Sequence, residues 1–227
     1  MRTDTVIPRY SFAKKFTVTY PDRSEWKRQN IQSLSMGSLW YTGGSKTSSG
    51  TGGGVFGGKT GLVFSLVAFA TVFHTEVFVI VASIRESIAR GYNGRTITIF
   101  TDSSQAALKA LESVTVKSNL VLECLECLLS KLATHKSVQL VWVPVLEGIL
   151  GNERSDELVK QGADTPFTGS EPARGLPYSV VKRAIRDWME WKHIECWNSV
   201  KDCKHSKALM EGPQEGRATK LLNMSRR

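Results

Sequence analysis

The order of strand and helix signals between Leu39 and Gly162 limits the folds open to this chain more than any other feature. Leu39-Trp40-Tyr41-Thr42 is a short strand signal, and the Gly- and Ser-rich run Gly43 to Gly54 reads as a turn opening into a second strand near Gly54-Val55-Phe56. Gly61 to Ala70, rich in Val, Leu and Phe, gives a third strand, so an antiparallel meander is expected. The period then changes. From His74 to Arg90, Val77, Ile80, Val81, Ile84 and Ile88 recur at helical spacing, and Gly91 supplies a stop. Thr96 to Phe100 is a strand, and Ser103 to Leu111 is a helix behind the capping signal Asp102-Ser103-Ser104. Asn119 to Thr134 is a further helix, Val138 to Val143 a strand stopped by Pro144, and Gly151 to Gly162 a last helix. Right-handed crossovers place the last two strands parallel to the first. The expected fold is therefore α/β: a mixed five-stranded sheet, three strands antiparallel and two parallel, flanked by helices.

Charge divides the chain differently. Before Met36 there are seven Lys/Arg against three acids, and after Pro172 twelve against six, so the excess of the net +9 lies in the flanks. This predicts a basic lead-in arm over residues 1–37, a near-neutral domain over 38–165 and a basic, Trp-containing helical tail over 166–227. Basic flanks suit a polyanion, whose neutralised phosphates release counterions, although a solvated basic surface has the same composition. Met1 to Arg9 is polar with no apolar run behind it, so no secretory leader is expected. The strongest apolar run, Gly61 to Phe73, has 13 residues, short of the roughly 20 that span a bilayer. An intracellular chain, nuclear or cytoplasmic, with its four cysteines as free thiols is expected.

Three acids stand out by their placement. Glu76 lies early in the first long helix, Asp102 ends a strand, where α/β sheets commonly place their chemistry, and Asp156 lies on the last helix. Convergent carboxylates are what a pair of hard divalent cations about 4 Å apart requires. Taken singly, each acid reads as a cap or a surface charge. Their joint placement carries the argument.

The segments Thr42-Gly43-Gly44-Ser45-Lys46, His74-Thr75-Glu76-Val77, Phe100 to Ala107, Val141-Trp142-Val143-Pro144 and Gly151 to Leu158 together resemble ribonuclease H domains of non-LTR retrotransposon polyproteins. The lead-in Pro8-Arg9-Tyr10-Ser11-Phe12 and the tail from Ile185-Arg186-Asp187-Trp188 resemble the segments that flank that domain. The resemblance implies cleavage of the RNA strand of RNA–DNA hybrids by two-metal catalysis with Mg²⁺ or Mn²⁺, held by an Asp-Glu-Asp-Asp set. Residue by residue, it implies Glu76, Asp102 and Asp156 as catalytic metal ligands, and partners in the reverse transcriptase and endonuclease regions of such polyproteins. It also places Ser45, Lys46, Ser104, Gln105 and Asn152 near the hybrid groove, as nucleic-acid contacts.

Two departures bear on activity. Gly43 stands where the family motif Thr-Asp-Gly-Ser has its Asp, and Leu146 stands where the Pro-Gly-His-Ser loop has its His. A glycine coordinates nothing through a side chain, so the expectation is a retained hybrid-binding fold with impaired cleavage. A non-catalytic nucleic-acid-binding module and a decayed fragment remain open beside it.

Other motifs compete. Gly53 to Thr60 satisfies the P-loop pattern, but Ser/Gly-rich sequence leads in and a β-branched, aromatic run leads out, where a P-loop needs a strand and then a helix. Cys124 and Cys127, with His193, Cys196, Cys203 and His205, could be drawn as a zinc site, yet the two former more simply share a buried helix face. Trp188, Trp191 and Trp197 lie on a basic helical pattern. Their stripe reads as a packing face before it reads as a stacking surface for single-stranded nucleic acid.

Overall fold

The computed structural model describes residues 3–28, 37–91, 96–102, 105–131, 137–143, 149–167, 175–202, 204–210 and 212. In chain order the elements are β1 (Thr5–Tyr10), β2 (Thr17–Thr19), α1 (Arg23–Arg28), β3 (Ser38–Lys46), β4 (Thr51–Gly57) and β5 (Thr60–Leu66). These are followed by α2 (Val72–Ala89), β6 (Thr96–Thr101), α3 (Gln105–Glu112), β7 (Thr115–Ser118) and α4 (Asn119–Lys131). Last come β8 (Ser137–Trp142), α5 (Leu150–Asp164), α6 (Tyr178–Ser199) and α7 (Lys204–Leu209). Contacts divide the chain into two units, Met1–Pro177 and Tyr178–Arg227.

In the first unit, β3, β4 and β5 form the antiparallel meander, and β6 and β8 extend it in parallel on the other side of β3. The sheet has six strands, in the order β2-β8-β6-β3-β4-β5, one more than the five expected. The extra strand comes from the lead-in, where Thr17–Thr19 pairs in parallel with β8. A second strand from the lead-in, β1, pairs with β7, a four-residue strand that the polar sequence Thr-Val-Lys-Ser gave little reason to expect.

The run Gly43 to Gly54 departs from its reading as a turn. Only residues 47–50 turn, closed by the amide of Thr47 donating to the Gly50 carbonyl; the rest is strand. Glycine is a poor strand former, and its presence here is dictated from outside the strand. A Cβ on Gly52 would lie 2.2 Å from the Ala163 nitrogen and the Val159 oxygen, and one on Gly54 would lie 2.5 Å from the Ser155 oxygen. On the opposite face, a Cβ on Gly53 would lie 2.7 Å from Val79 Cγ1. Helix α5 thus rides on the bare backbone of β4, while α2 closes the other face. The P-loop pattern falls in the same hairpin: Gly58-Lys59 is the turn between β4 and β5, with Gly58 at φ +62°, and Thr60 opens a strand rather than a helix.

The core lies between the sheet and helices α2 to α4, with Trp40, Ile80, Ile97, Ile99, Leu108 and Leu140 among its buried side chains. Cys124 and Cys127 belong to it, on α4. A smaller cluster joins Trp26, Tyr41, Phe100, Val141, Val143 and Ile149. Helix α2 opens on Thr71, whose hydroxyl accepts from the His74 amide, and closes before Gly91 at φ +65°, the left-handed conformation a glycine supplies at low cost.

The lead-in is tied down by one buried carboxylate. Asp4 Oδ2 accepts from the Ser118 hydroxyl at 2.5 Å and lies 3.2 Å from His74 Nε2, and Asp4 Oδ1 accepts from the Leu120 amide at 3.0 Å. The start of α2, the start of α4 and the lead-in therefore meet at one side chain. No described helix is long and apolar enough to cross a membrane.

The second unit consists of α6 and α7 among its described residues. No residue of α6 is buried among the described residues, and Trp188 is 59% exposed and Trp191 55%.

Candidate active site

The parallel register of β3 on β6 pairs Thr42 with Thr101, which sets Gly43 beside Asp102 at the carboxyl end of β6. Backbone alternation along β3 turns Gly43 toward α5 and Gly44 toward α2, because adjacent strand residues face opposite ways. A Cβ on Gly43 would lie 3.1 Å from Val159 Cγ2 and 3.5 Å from both Asp102 Oδ1 and Ser155 Oγ. One on Gly44 would meet Thr75 at 3.1 Å and the Glu76 nitrogen at 3.3 Å.

Asp102 and Asp156 come together, close enough for their carboxyls to hydrogen-bond to each other. Asn152, 4% exposed on the first turn of α5, donates from Nδ2 to Asp102 Oδ2 at 3.0 Å. Burial pushes the Asp102 carboxyl above the usual carboxylate range, and the Asn152 bond acts against that. Asp156 is pushed up to about 6, first by burial, then by the negative charge of Asp102 and the bond they share, with Lys160 opposing. Two carboxyls hydrogen-bonded to each other need a proton between them, which such a pair gives up as pH rises.

Glu76 lies in the second turn of α2 and is fully buried. Among the described residues, no three His, Cys, Asp or Glu side chains are grouped so as to hold a metal ion. A hard cation requires more oxygen donors than the Asp102–Asp156 pair alone supplies. Of the other expected residues, Lys46 donates from Nζ to the Ala68 and Ala70 carbonyls at 2.8 Å each, bracing the approach to α2. Ser45 sits half-buried opposite Gly52, and Gln105 opens α3 half-buried. Ser104 and the segment Val145-Leu146-Glu147 lie outside the described residues.

Asn152, expected as a nucleic-acid contact, donates its amide to the Asp102 carboxylate. The signal for that was present, since Asn152 and Asp156 are four residues apart and so share a helix face. Ser155 and Val159, the neighbours of the Gly43 position, carried no such signal, because only the packing of α5 on β4 brings them there.

A mixed sheet, a carboxylate at the end of a parallel strand and a second on the covering helix define a ribonuclease H-like α/β domain. The family model for RNase H matches residues 36–164, more than half of the chain, and the chain belongs to that family. No curated protein matches the chain. The family binds RNA–DNA hybrids, hydrolyses their RNA strand and generally uses Mg²⁺.

Proposed function

We propose that this chain is a ribonuclease H domain of retroelement origin that binds RNA–DNA hybrid and cuts it weakly or not at all. The observation that carries the reading is the direction of the missing side chain at Gly43, whose Cβ would point at Asp102 Oδ1 from 3.5 Å, beside the Asp102–Asp156 pair. An Asp there would bring a third carboxylate to the pair, as the family motif implies. Without it, Mg²⁺ or Mn²⁺ affinity is weakened, and a rate loss of at least about 10²–10³ is expected, by analogy with deleting one electrostatic stabiliser. Glu76, Asp102 and Asp156 remain as the catalytic set, and Leu146 in place of the His lowers turnover further. The retroelement origin rests on the joint motifs, from Thr42-Gly43-Gly44-Ser45 to Gly151-Asn152-Glu153-Arg154-Ser155-Asp156.

A non-catalytic hybrid-binding module is the second reading, favoured by Asp102 being bonded to Asp156 and Asn152 within the protein. Cleavage of a labelled RNA–DNA hybrid in Mg²⁺ and in Mn²⁺, by the natural chain and by Gly43→Asp, separates the two. Cutting only by the variant supports an intact scaffold short of one ligand. Cutting by the natural chain that Asp102→Asn abolishes would show that three carboxylates suffice. If neither cuts while both bind hybrid, the module reading stands.

A further inference from the structure

We propose that α6 is a binding surface for single-stranded nucleic acid, separate from the hybrid site. At 100° per residue, Val181, Ile185 and Trp188 share one face with Trp191 at its border, while Lys182 and Arg186 run along its flank. The indoles of Trp188 and Trp191 are more than half exposed, and at a spacing of three residues they are neighbours on the helix surface. Exposed apolar stripes of this kind mark interaction sites.

Charge and residue type select it. From Tyr178 onward the chain carries eleven Lys/Arg against six Asp/Glu, which favours a polyanion and disfavours a second copy of the same unit. Helix pairing through a seam is built from Leu and Ile, whereas the 22 residues of α6 contain no Leu, two Ile and three Trp. Wide indoles with cations beside them are what sequence-tolerant binding of unpaired bases uses: the rings stack on bases and the cations follow the phosphates. A cation lies beside one ring, with Lys192 Nζ 4.5 Å from the Trp191 ring centroid while it also donates to Glu195 at 2.7 Å. The ligand class is therefore unpaired RNA or DNA of any sequence, such as the ends that flank a hybrid.

The test is fluorescence anisotropy of labelled oligo(dT), oligo(rU) and a blunt RNA–DNA hybrid with the full-length chain. Trp188→Ala combined with Trp191→Ala should weaken binding of both single strands at least about tenfold and leave the hybrid affinity unchanged. Trp188→Tyr with Trp191→Tyr should restore most of the loss, because a phenol ring also stacks. Lys182→Ala with Arg186→Ala should reduce the salt dependence of single-strand binding by about one unit per removed cation that contacts phosphate. Unchanged single-strand binding in the double Ala variant overturns the proposal. An equal loss on the hybrid does so too, by making the tail part of the hybrid site. Concentration-dependent dimerisation that the Trp substitutions abolish, seen by sedimentation, would assign the face to a second copy instead. Loss of hybrid binding by the natural chain would sink the function proposed above and leave this one standing.

Discussion

Replacing Gly43 by Asp should destabilise the fold in the absence of divalent cation and make its stability cation-dependent. The new Cβ would meet Val159 Cγ2 at 3.1 Å, a contact that a buried, β-branched side chain on a helix relieves only by a small shift, costing about 1 kcal/mol. The larger effect is electrostatic. A carboxylate carried on that Cβ would lie about 4 Å from Asp102, where two like charges repel by about 4 kcal/mol at an effective dielectric of 20. Water at the half-open site reduces this, so a total loss of about 2–4 kcal/mol is expected at pH 8. That corresponds to a fall in Tm on the order of 10 °C for a unit of this size. Thermal unfolding followed by circular dichroism measures it, at pH 5 and pH 8, with and without Mg²⁺. At pH 5 the penalty should shrink, because the pair and its new neighbour take up protons. Millimolar Mg²⁺ should restore much of the loss at pH 8 in the variant while moving the natural chain little. If Gly43→Asp melts with the natural chain at both pH values and ignores Mg²⁺, the side chain at position 43 does not face Asp102 and the proposed site is wrong.

Four further outcomes follow from the same geometry. Asp156→Asn should stabilise the chain by about 1 kcal/mol at pH 8, after allowance for solvent screening, and by nothing at pH 4. The sign follows from a folded-state value raised to about 6: the pair's stability is full below the ordinary Asp value of 3.8 and is lost as pH rises through 6, as urea titrations across that window would record. Asp4→Ala should cost about 2–4 kcal/mol in urea unfolding at pH 7, since it leaves the Ser118 hydroxyl and the Leu120 amide without their acceptor. Burial pushes the Asp4 carboxyl up, but its hydrogen bonds from His74, Ser118 and Leu120 hold it below the usual range, so its contribution is present above 3.8 and fades as pH falls through the folded value. Gly52→Ala, whose methyl would overlap the α5 backbone, should cost about 3 kcal/mol or more, while Gly58→Ala, with open space but φ +62°, should cost only about 1–2 kcal/mol by chemical denaturation.

The succession of strands and helices was legible because burial on one face imposes a period, and the periods of β3 to β5, α2, β6 and α5 are strong. What escaped was set by partners distant in sequence. β1 and β7 are short and polar, and each is a strand only because the other lies beside it, more than a hundred residues away. The glycines of β4 looked like a turn because nothing within the strand says that a helix will lie against its backbone. The site divides along the same line. Gly43 and the acids at positions 102 and 156 could be singled out from motifs, whereas the nearness of Gly43 to Asp102 needed the register of Thr42 on Thr101. Lys46, readable as a groove cation, also donates to the carbonyls of Ala68 and Ala70, partners that only the fold brings to it.

Helix α5 lying directly on the peptide planes of β4 has a mechanical consequence. An ordinary helix–sheet contact is cushioned by side chains that can change rotamer, so the helix drifts when one of them changes. Here that layer is missing at Gly52 and Gly54, and the seat is as stiff as the backbone itself. Asn152, Ser155, Asp156 and Val159 are carried on that seat as fixtures on a rail. The frame of the site is thus set by backbone contact, and a Cβ added at position 43 would meet it through Val159 alone within about 3.4 Å.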